Sequence, residues 1–326
     1  MRHSIHTGLR ATAASGALLA LAACGNDSTD NGDGEVQELT VLHAPINYEA
    51  VYVAEREGYF EEVGLEVDIR PGGTAQDNLG QLAGGSVDLS IISWDAAVSA
   101  TQEGVPIKVI SSNAVISEEF DTSGVFVRED SDIESMGDLE GRTIAFNSVG
   151  SGGNVPVLQA LEADGVDADS VTQVSLPFAS MEAALENDQV EAVFPSDSYF
   201  HQISANDDYR SISHPSREFR GGLPITLWAG TEEWLEENPD TAEQFNEAMT
   251  RAIEFYEDAD NREAILEIRS EVSEQEIDEV DWEFIPFNIS VDTEVAQRTT
   301  EALDEFGIVD DPKSVDDILW EGAPRH

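Results

Sequence analysis

The 326-residue chain has a single cysteine, Cys24, so it can close no internal disulfide and holds no second thiol for a redox pair. Histidine is also sparse. Of six, His3 and His6 lie in the opening segment and His326 is the last residue, while His43, His201 and His214 are widely scattered. There is no His-Glu-x-x-His, no Gly-x-Ser-x-Gly, and no Lys-Ser or Lys-Thr behind a glycine-rich turn. These gaps argue against a zinc hydrolase, a serine hydrolase and a P-loop nucleotide enzyme, and no catalytic residue, cofactor or metal is expected. Basic residues are few, 16 against 67 acidic ones, for a formal net charge of -51. A field of that sign repels nucleic acid and anionic lipid surfaces, so neither is an expected partner. The acids are dispersed rather than gathered in a tail, which describes a solvated surface suited to a saline, halophilic habitat, where salt screens the self-repulsion. Long apolar runs are missing after residue 23. The one at residues 11–23 falls short of the ~20 residues that cross a bilayer.

That run does have a recognisable setting. Arg2 and Arg10 precede it and small residues follow, giving the charged start, apolar centre and small-residue exit of a secretory leader. The exit, Leu21-Ala22-Ala23-Cys24-Gly25, resembles a bacterial lipobox. The resemblance implies a signal peptide at 1–23 and a lipid on Cys24, which becomes the first mature residue and anchors the chain at the outer face of a membrane. Acyl chains contribute ~0.8 kcal/mol per buried methylene, so two or three make a durable anchor. Loss of the two arginines takes the net charge from -51 to -53. Residues 24–37 are rich in Gly, Asn, Asp, Ser and Thr, have little to bury, and read as a flexible tether.

The rest alternates short β-branched runs with helical periodicity, which predicts βαβ units and mostly parallel sheet. Strands are expected at 39–42, 67–69, 87–92 and 107–110, with helices at 49–63, 74–82 and 96–102 between them. Thr74 is the expected cap of the second helix, with Asp77 three residues on. After an extended link at 124–128 come strands at 142–146, 171–176 and 190–194, helices at 154–163 and 180–186, and a return strand at 224–228. Pro156 fits the first turn of its helix. From Thr231 onward the chain reads as helical, notably at 239–257 and 291–306. The pattern predicts an α/β fold of two lobes: 38–125 with 222–326, and 126–221.

Ligands of open α/β sheets sit beyond the carboxyl ends of the strands. In the first lobe those positions hold Asn47, Tyr48, Gly73, Thr74, Ser93, Trp94 and Asp95; in the second, Ser148, Gly150, Ser151, Gly152, Phe178 and Asp197. Small hydroxyl and glycine residues that open helices present free N–H groups to a polar or anionic ligand, and the aromatics supply flat walls. Asp95 and Asp197 give each lobe a carboxylate for the cleft. Lys108 and Arg142 are the bases expected near them.

Residues 48–69, YEAVYVAEREGYFEEVGLEVDI, resemble the opening of the ABC-transporter substrate-binding proteins for nitrate, sulfonates and thiamine-pyrimidine precursors. There a helix ends in Gly-Tyr/Phe-Phe and a Gly-Leu turn leads to a strand, here Gly58-Tyr59-Phe60 and Gly64-Leu65. Further likenesses fall at LAGGSVD (82–88), DLEGRTIA (138–145) and EAAL (182–185) leading to Val190-Glu191-Ala192. The resemblance runs in order from about 38 to 320. It implies the periplasmic-binding-protein fold with two crossing links (type II), a small-molecule ligand held between closing lobes, and a permease and ATPase as partners of a monomeric binding protein. The second-lobe turn departs from the family's frequent Glu-Pro, reading Pro195-Ser196-Asp197. The cysteine- and histidine-rich motif of the pyrimidine-precursor synthases that share the fold is absent. Carboxylates, aromatics and scarce arginine favour a neutral or amino-bearing heteroaromatic ligand; a sulfonate, nitrate or similar oxyanion held by helix-end amides is the alternative.

Overall fold

The computed structural model describes residues 36–44, 48–73, 75–278, 280 and 284–326, with the side chains of Ala75, Gln76 and Asp197 outside the description. The expected leader and tether, Cys24 included, therefore lie outside the described residues, as do Asn47 and Thr74.

Among the described residues ten strands form two mixed five-stranded sheets. The first contains β1 (Gln37–His43), β2 (Leu65–Pro71), β3 (Leu89–Ile92) and β4 (Ile107–Ser112). The second contains β5 (Val125–Arg128), β6 (Thr143–Phe146), β7 (Thr172–Ser175), β8 (Ala192–Val193) and β9 (Tyr209–Ser213). Finally β10 (Leu227–Thr231) returns to the first sheet. The orders are β2-β1-β3-β10-β4 and β7-β6-β8-β5-β9, the same pattern twice. In each sheet the fourth place is taken by the strand that has just crossed from the other lobe, and it runs antiparallel to both neighbours. The remaining pairs β1–β2, β1–β3, β6–β7 and β6–β8 are parallel, as crossover helices require. The chain thus has the two-lobed, two-crossing α/β fold.

Side-chain alternation divides the second sheet between two cores. Val125, Val127, Ile144, Phe146 and Ala192 pack on one face with the helix Val155–Ala163, and Phe126, Ala145 and Val193 on the other with Met181 and Leu185. A sheet covered on both faces needs apolar residues at consecutive positions, which is why these strands read as unbroken runs. The first lobe has one continuous core, with Trp94, Trp228 and Phe245 among its largest fully buried side chains, and β10 contributes Leu227, Trp228 and Ala229 to it.

Four expectations are corrected. The stretch 124–128, read as a link, is mostly β5, inserted between β8 and β9. The helix expected over 49–63 is two, Glu49–Arg56 and Tyr59–Glu62, because Gly58 takes φ 76°. The strand expected at 190–194 shrinks to two residues, and β9 was not anticipated. Every residue of β9 is half-buried, so it shows no in-out contrast to read. By contrast Pro239–Glu257 starts and stops where the sequence places it. Among the described residues no helix is long and apolar enough to cross a membrane.

The two crossings run side by side. Gly222 N–H donates to the Ile116 carbonyl at 2.9 Å, and Ile116 N–H donates to Leu223 at 2.9 Å. Phe219 packs on the second lobe's core and Leu223 belongs to the first, so the chain changes lobes across Gly221-Gly222. Gly222 has φ 84°, a conformation that suits glycine.

Candidate functional site

Ser93 follows β3 and caps the helix Trp94–Gln102, its hydroxyl accepting from Ala96 N–H at 3.3 Å. Asp95 in the first turn complements the positive end of that helix. Its carboxylate is already engaged. Arg220, at the end of the helix Pro215–Arg220 in the second lobe, donates through one terminal nitrogen to both Asp95 oxygens at 3.3 and 3.1 Å. Its other terminal nitrogen donates to the Gly152 carbonyl at 3.0 Å. Gly152 has no room for a side chain: a Cβ there would collide with the Asp95 carboxylate and come within 3.0 Å of Leu303. Asp95 follows β3 and Gly152 follows β6, so the carboxyl ends of both sets of parallel strands open onto one gap.

Arg220 is the base that sequence reasoning missed. Lys108 instead faces Glu232 at 3.4 Å and donates to the Asp317 carbonyl. Arg142 pairs with Asp132 at 3.0 Å. Both serve as ordinary surface partners. The signal for Arg220 was its place in Arg-Gly-Gly just before a return strand, where a long side chain can reach either lobe.

The aromatic candidates divide by burial. Trp94 is 1% exposed, and its indole N–H donates to Thr300 Oγ1 at 3.1 Å, so it is spent on the first core. Tyr48 is half-buried beside two residues not singled out in the sequence. Its ring lies 5.5 Å from His43 and 6.1 Å from Tyr52, and His43 and Tyr52 are 5.4 Å apart. The trio sits where β1 ends and the next helix begins. His43 Nδ1 is 2.6 Å from the Ala44 carbonyl, so that nitrogen carries the proton and Nε2 is the acceptor. Burial pulls the His43 pKa below its ordinary value, against a smaller upward pull from the Ala44 bond. Across the gap, Phe178 pairs with Tyr199 at 5.8 Å and 32°, and Tyr199 is 37% exposed. Phe178 follows β7, and Tyr199 lies in the helix Asp197–Ser204 that follows β8. The Asp197 side chain itself lies outside the description.

The glycine-rich turn is held from within. The Ser148 carbonyl accepts from Ser151 Oγ at 3.0 Å and from the Asn154 amide at 2.6 Å, and Gly150 takes φ 77°. Val149 N–H donates to Ser175 Oγ at 3.0 Å, which ties the turn to the end of β7. Gly73 N–H donates to Asn78 Oδ1 at 2.8 Å, and the Asn78 amide reaches the Ile91 carbonyl at 3.1 Å. Gly73 is thereby fixed at the carboxyl end of the first sheet. Among the described residues no cluster of His, Cys, Asp or Glu could hold a metal ion. A groove of about 730 Å³ on the second lobe, lined by Arg128, Glu182, Asp208 and Tyr209, lies away from these strand ends. Its Arg128 is already paired with Asp130 and Asp188.

With this geometry in place, the likenesses to known proteins fall into line. The formylaminopyrimidine-binding protein of Halalkalibacterium halodurans is 27% identical over 252 residues, covering 69% of this chain and 74% of its own. The 4-amino-5-hydroxymethyl-2-methylpyrimidine phosphate synthase of Aspergillus parasiticus is 23% identical over 227 residues, covering 67% of this chain and 65% of its own. The crystal structure of the periplasmic aliphatic sulphonate binding protein SsuA from Escherichia coli superposes with a TM-score of 0.71 at 17% identity, over 88% of this chain and 93% of that one. It supports the fold alone. The model described as NMT1/THI5 like matches residues 46–261, a span that takes in β2 to β10, both crossings, Asp95, Gly152 and Arg220; the chain belongs to the NMT1/THI5-like family.

Proposed function

We propose that this protein is the solute-binding component of an ABC importer, and that it captures a thiamine-related pyrimidine or another amino-bearing heteroaromatic between its two lobes. The observation that carries the reading is the placing of flat aromatic surfaces at the carboxyl ends of both sheets, His43/Tyr48/Tyr52 on one side and Phe178/Tyr199 on the other. A planar ring entering the gap meets π-faces from both lobes. The neutral His43 can accept a hydrogen bond from a ring amino group. The name of the Halalkalibacterium relative points the same way. In this reading the lobes are 38–125 with 222–326, and 126–221. Ser93, Gly73 and the 148–152 turn present polar groups to the ligand's edge, and Asp197 supplies the carboxylate. The protein acts outside the cytoplasm as a monomer, on a tether from a lipid on Cys24, and delivers to a permease and its ATPase.

A second reading has its own observation. Arg220 places a buried guanidinium beside the Ser93-capped helix and the glycine-rich turn, which suits a sulfonate or similar oxyanion. A third, enzymatic, reading rests on the Aspergillus relative's name.

Differential scanning of the protein against aminopyrimidines, thiamine, alkyl sulfonates and nitrate separates them. A true ligand at a hundred times its Kd adds about 2.7 kcal/mol of stability. Aminopyrimidines are expected to raise the melting temperature and sulfonates to leave it unchanged; the reverse result replaces the first reading with the second. Asp197→Asn is expected to weaken an amino-bearing ligand. Consumption of an aminopyrimidine precursor beyond one equivalent would establish turnover and sink the transport reading.

A further inference from the structure

Arg220 is 5% exposed, yet it belongs wholly to neither lobe. Its neighbour Phe219 packs on the second core, and three residues on, Leu223 packs in the first. The guanidinium reaches Asp95 in the first lobe and the Gly152 carbonyl in the second, and its Nε has no partner among the described residues. Asp95 keeps 24% of its side chain exposed, so this ion pair closes the gap with one face still wet. Around it the lobes touch elsewhere: Val155 of a second-lobe helix joins the first core, and Phe306 packs against both.

We infer that Arg220 is a positioning residue of the cleft: by tying Asp95 to the Gly152 turn it sets how far the lobes separate, and hence how much of the ligand-binding arrangement is already formed in the free protein. The inference rests on the proposed clamp, but concerns its resting state. The physical ground is that a charge-assisted pair is strong and directional, whereas the return crossing beside it passes through Gly221-Gly222, which carry no side chains and of which Gly222 has φ 84°. Opening must break the guanidinium's contact to one lobe or the other. A second route to the same effect needs no change of charge. A methyl on Gly152 would push against the Asp95 carboxylate and wedge the gap from within.

The test uses the full chain with its one cysteine replaced (Cys24→Ser) and spin labels at two exposed positions, Glu66→Cys in the first lobe and Asp169→Cys in the second. Interlobe distances are measured by pulsed electron resonance without added ligand, for the parent chain, Asp95→Asn and Gly152→Ala. Each variant is expected to lower the ratio of short to long distances about tenfold, the size of change that about 1.4 kcal/mol produces. If a variant that melts cooperatively keeps the parent distribution, the pair is a fixed brace and the inference is overturned. Two variants of opposite kind keep the question decidable if one fails to fold. The measurement needs no ligand, so a failed ligand screen and a failed latch give different results.

Discussion

The Glu49–Arg269 pair offers the sharpest test of how the ligand end of the first lobe is held. Glu49 opens the helix Glu49–Arg56 directly after Tyr48, and Arg269 lies in the distant helix Arg262–Ser273. Glu49 Oε1 and Arg269 Nε are 2.6 Å apart with both side chains 8% exposed. The guanidinium also donates to the Tyr256 hydroxyl at 3.1 Å and lies 4.8 Å from the Phe284 ring. Burial pulls the Arg269 pKa down, but Glu49 and Tyr256 more than restore it, so its charge is permanent. Burial likewise raises the Tyr256 hydroxyl, which stays neutral. Glu49→Ala therefore leaves a permanent cation in a dry site without its carboxylate. Breaking such a pair costs about 3–5 kcal/mol. Glu49→Gln keeps a neutral acceptor and should cost about 1–2 kcal/mol. Replacing both partners with apolar residues, Glu49→Leu with Arg269→Met, removes the stranded charge and should lie nearer the parent than Glu49→Ala. Urea unfolding with tryptophan fluorescence reads all three, provided the transitions stay two-state. A loss below about 1 kcal/mol in Glu49→Ala would match an exposed ion pair and refute the dry-site reasoning. Glu49 opens the helix that directly follows Tyr48 and carries Tyr52, so the same variant should also loosen the aromatic trio.

Three further outcomes are expected. Gly72→Ala places a methyl against the His43 carbonyl and 2.6 Å from Asn78 Oδ1, and should cost about 3 kcal/mol, the upper range for overpacking, in the same unfolding assay. Tyr199→Ala removes a partly exposed ring, so it should leave the melting temperature of the free protein nearly unchanged while weakening an aromatic ligand by about 1 kcal/mol in calorimetry. The depressed His43 pKa makes the folded state bind fewer protons than the unfolded chain just below pH 6.5. Its contribution is thus complete above that pH and lost as the pH falls through the folded value. His43→Gln should flatten the decline of the urea midpoint between pH 7.5 and pH 5; an unchanged slope would remove His43 as its source.

Much of this architecture is visible in the residues, and the parts that are not have identifiable causes. Buried runs such as Leu89–Ile92 and Thr143–Phe146 could be placed because both faces of their sheets are covered and three of the four residues in each are apolar. The half-buried, polar Tyr209–Ser213 offered no such contrast. Strand ends identified Ser93, Asp95 and Gly152 as neighbours of a shared gap, because connection rules fix where those ends lie. The rules say nothing of side-chain direction. Trp94 therefore turned into the core, while the residue it precedes met an arginine 125 positions away. Arg220 escaped notice because its contacts depend on the approach of two lobes, a fact of tertiary geometry that no local period encodes.

The exchange of strands between the sheets has a consequence for the order of assembly. All five strands of the second sheet come from one unbroken stretch, residues 125–213, so that lobe can close as soon as this stretch is available. The first sheet cannot. β3 and β4 do not bond to each other; both bond to β10, which begins 115 residues after β4 ends, at 227 against 112. Closing so long a loop is slow because its entropy must be spent before the pairing rewards it. Until β10 arrives, β3 and β4 stand with bare edges open to chance pairing. The lobe that holds β1 is therefore the last to finish, and it stays an incomplete sheet until the residues of β10 are available.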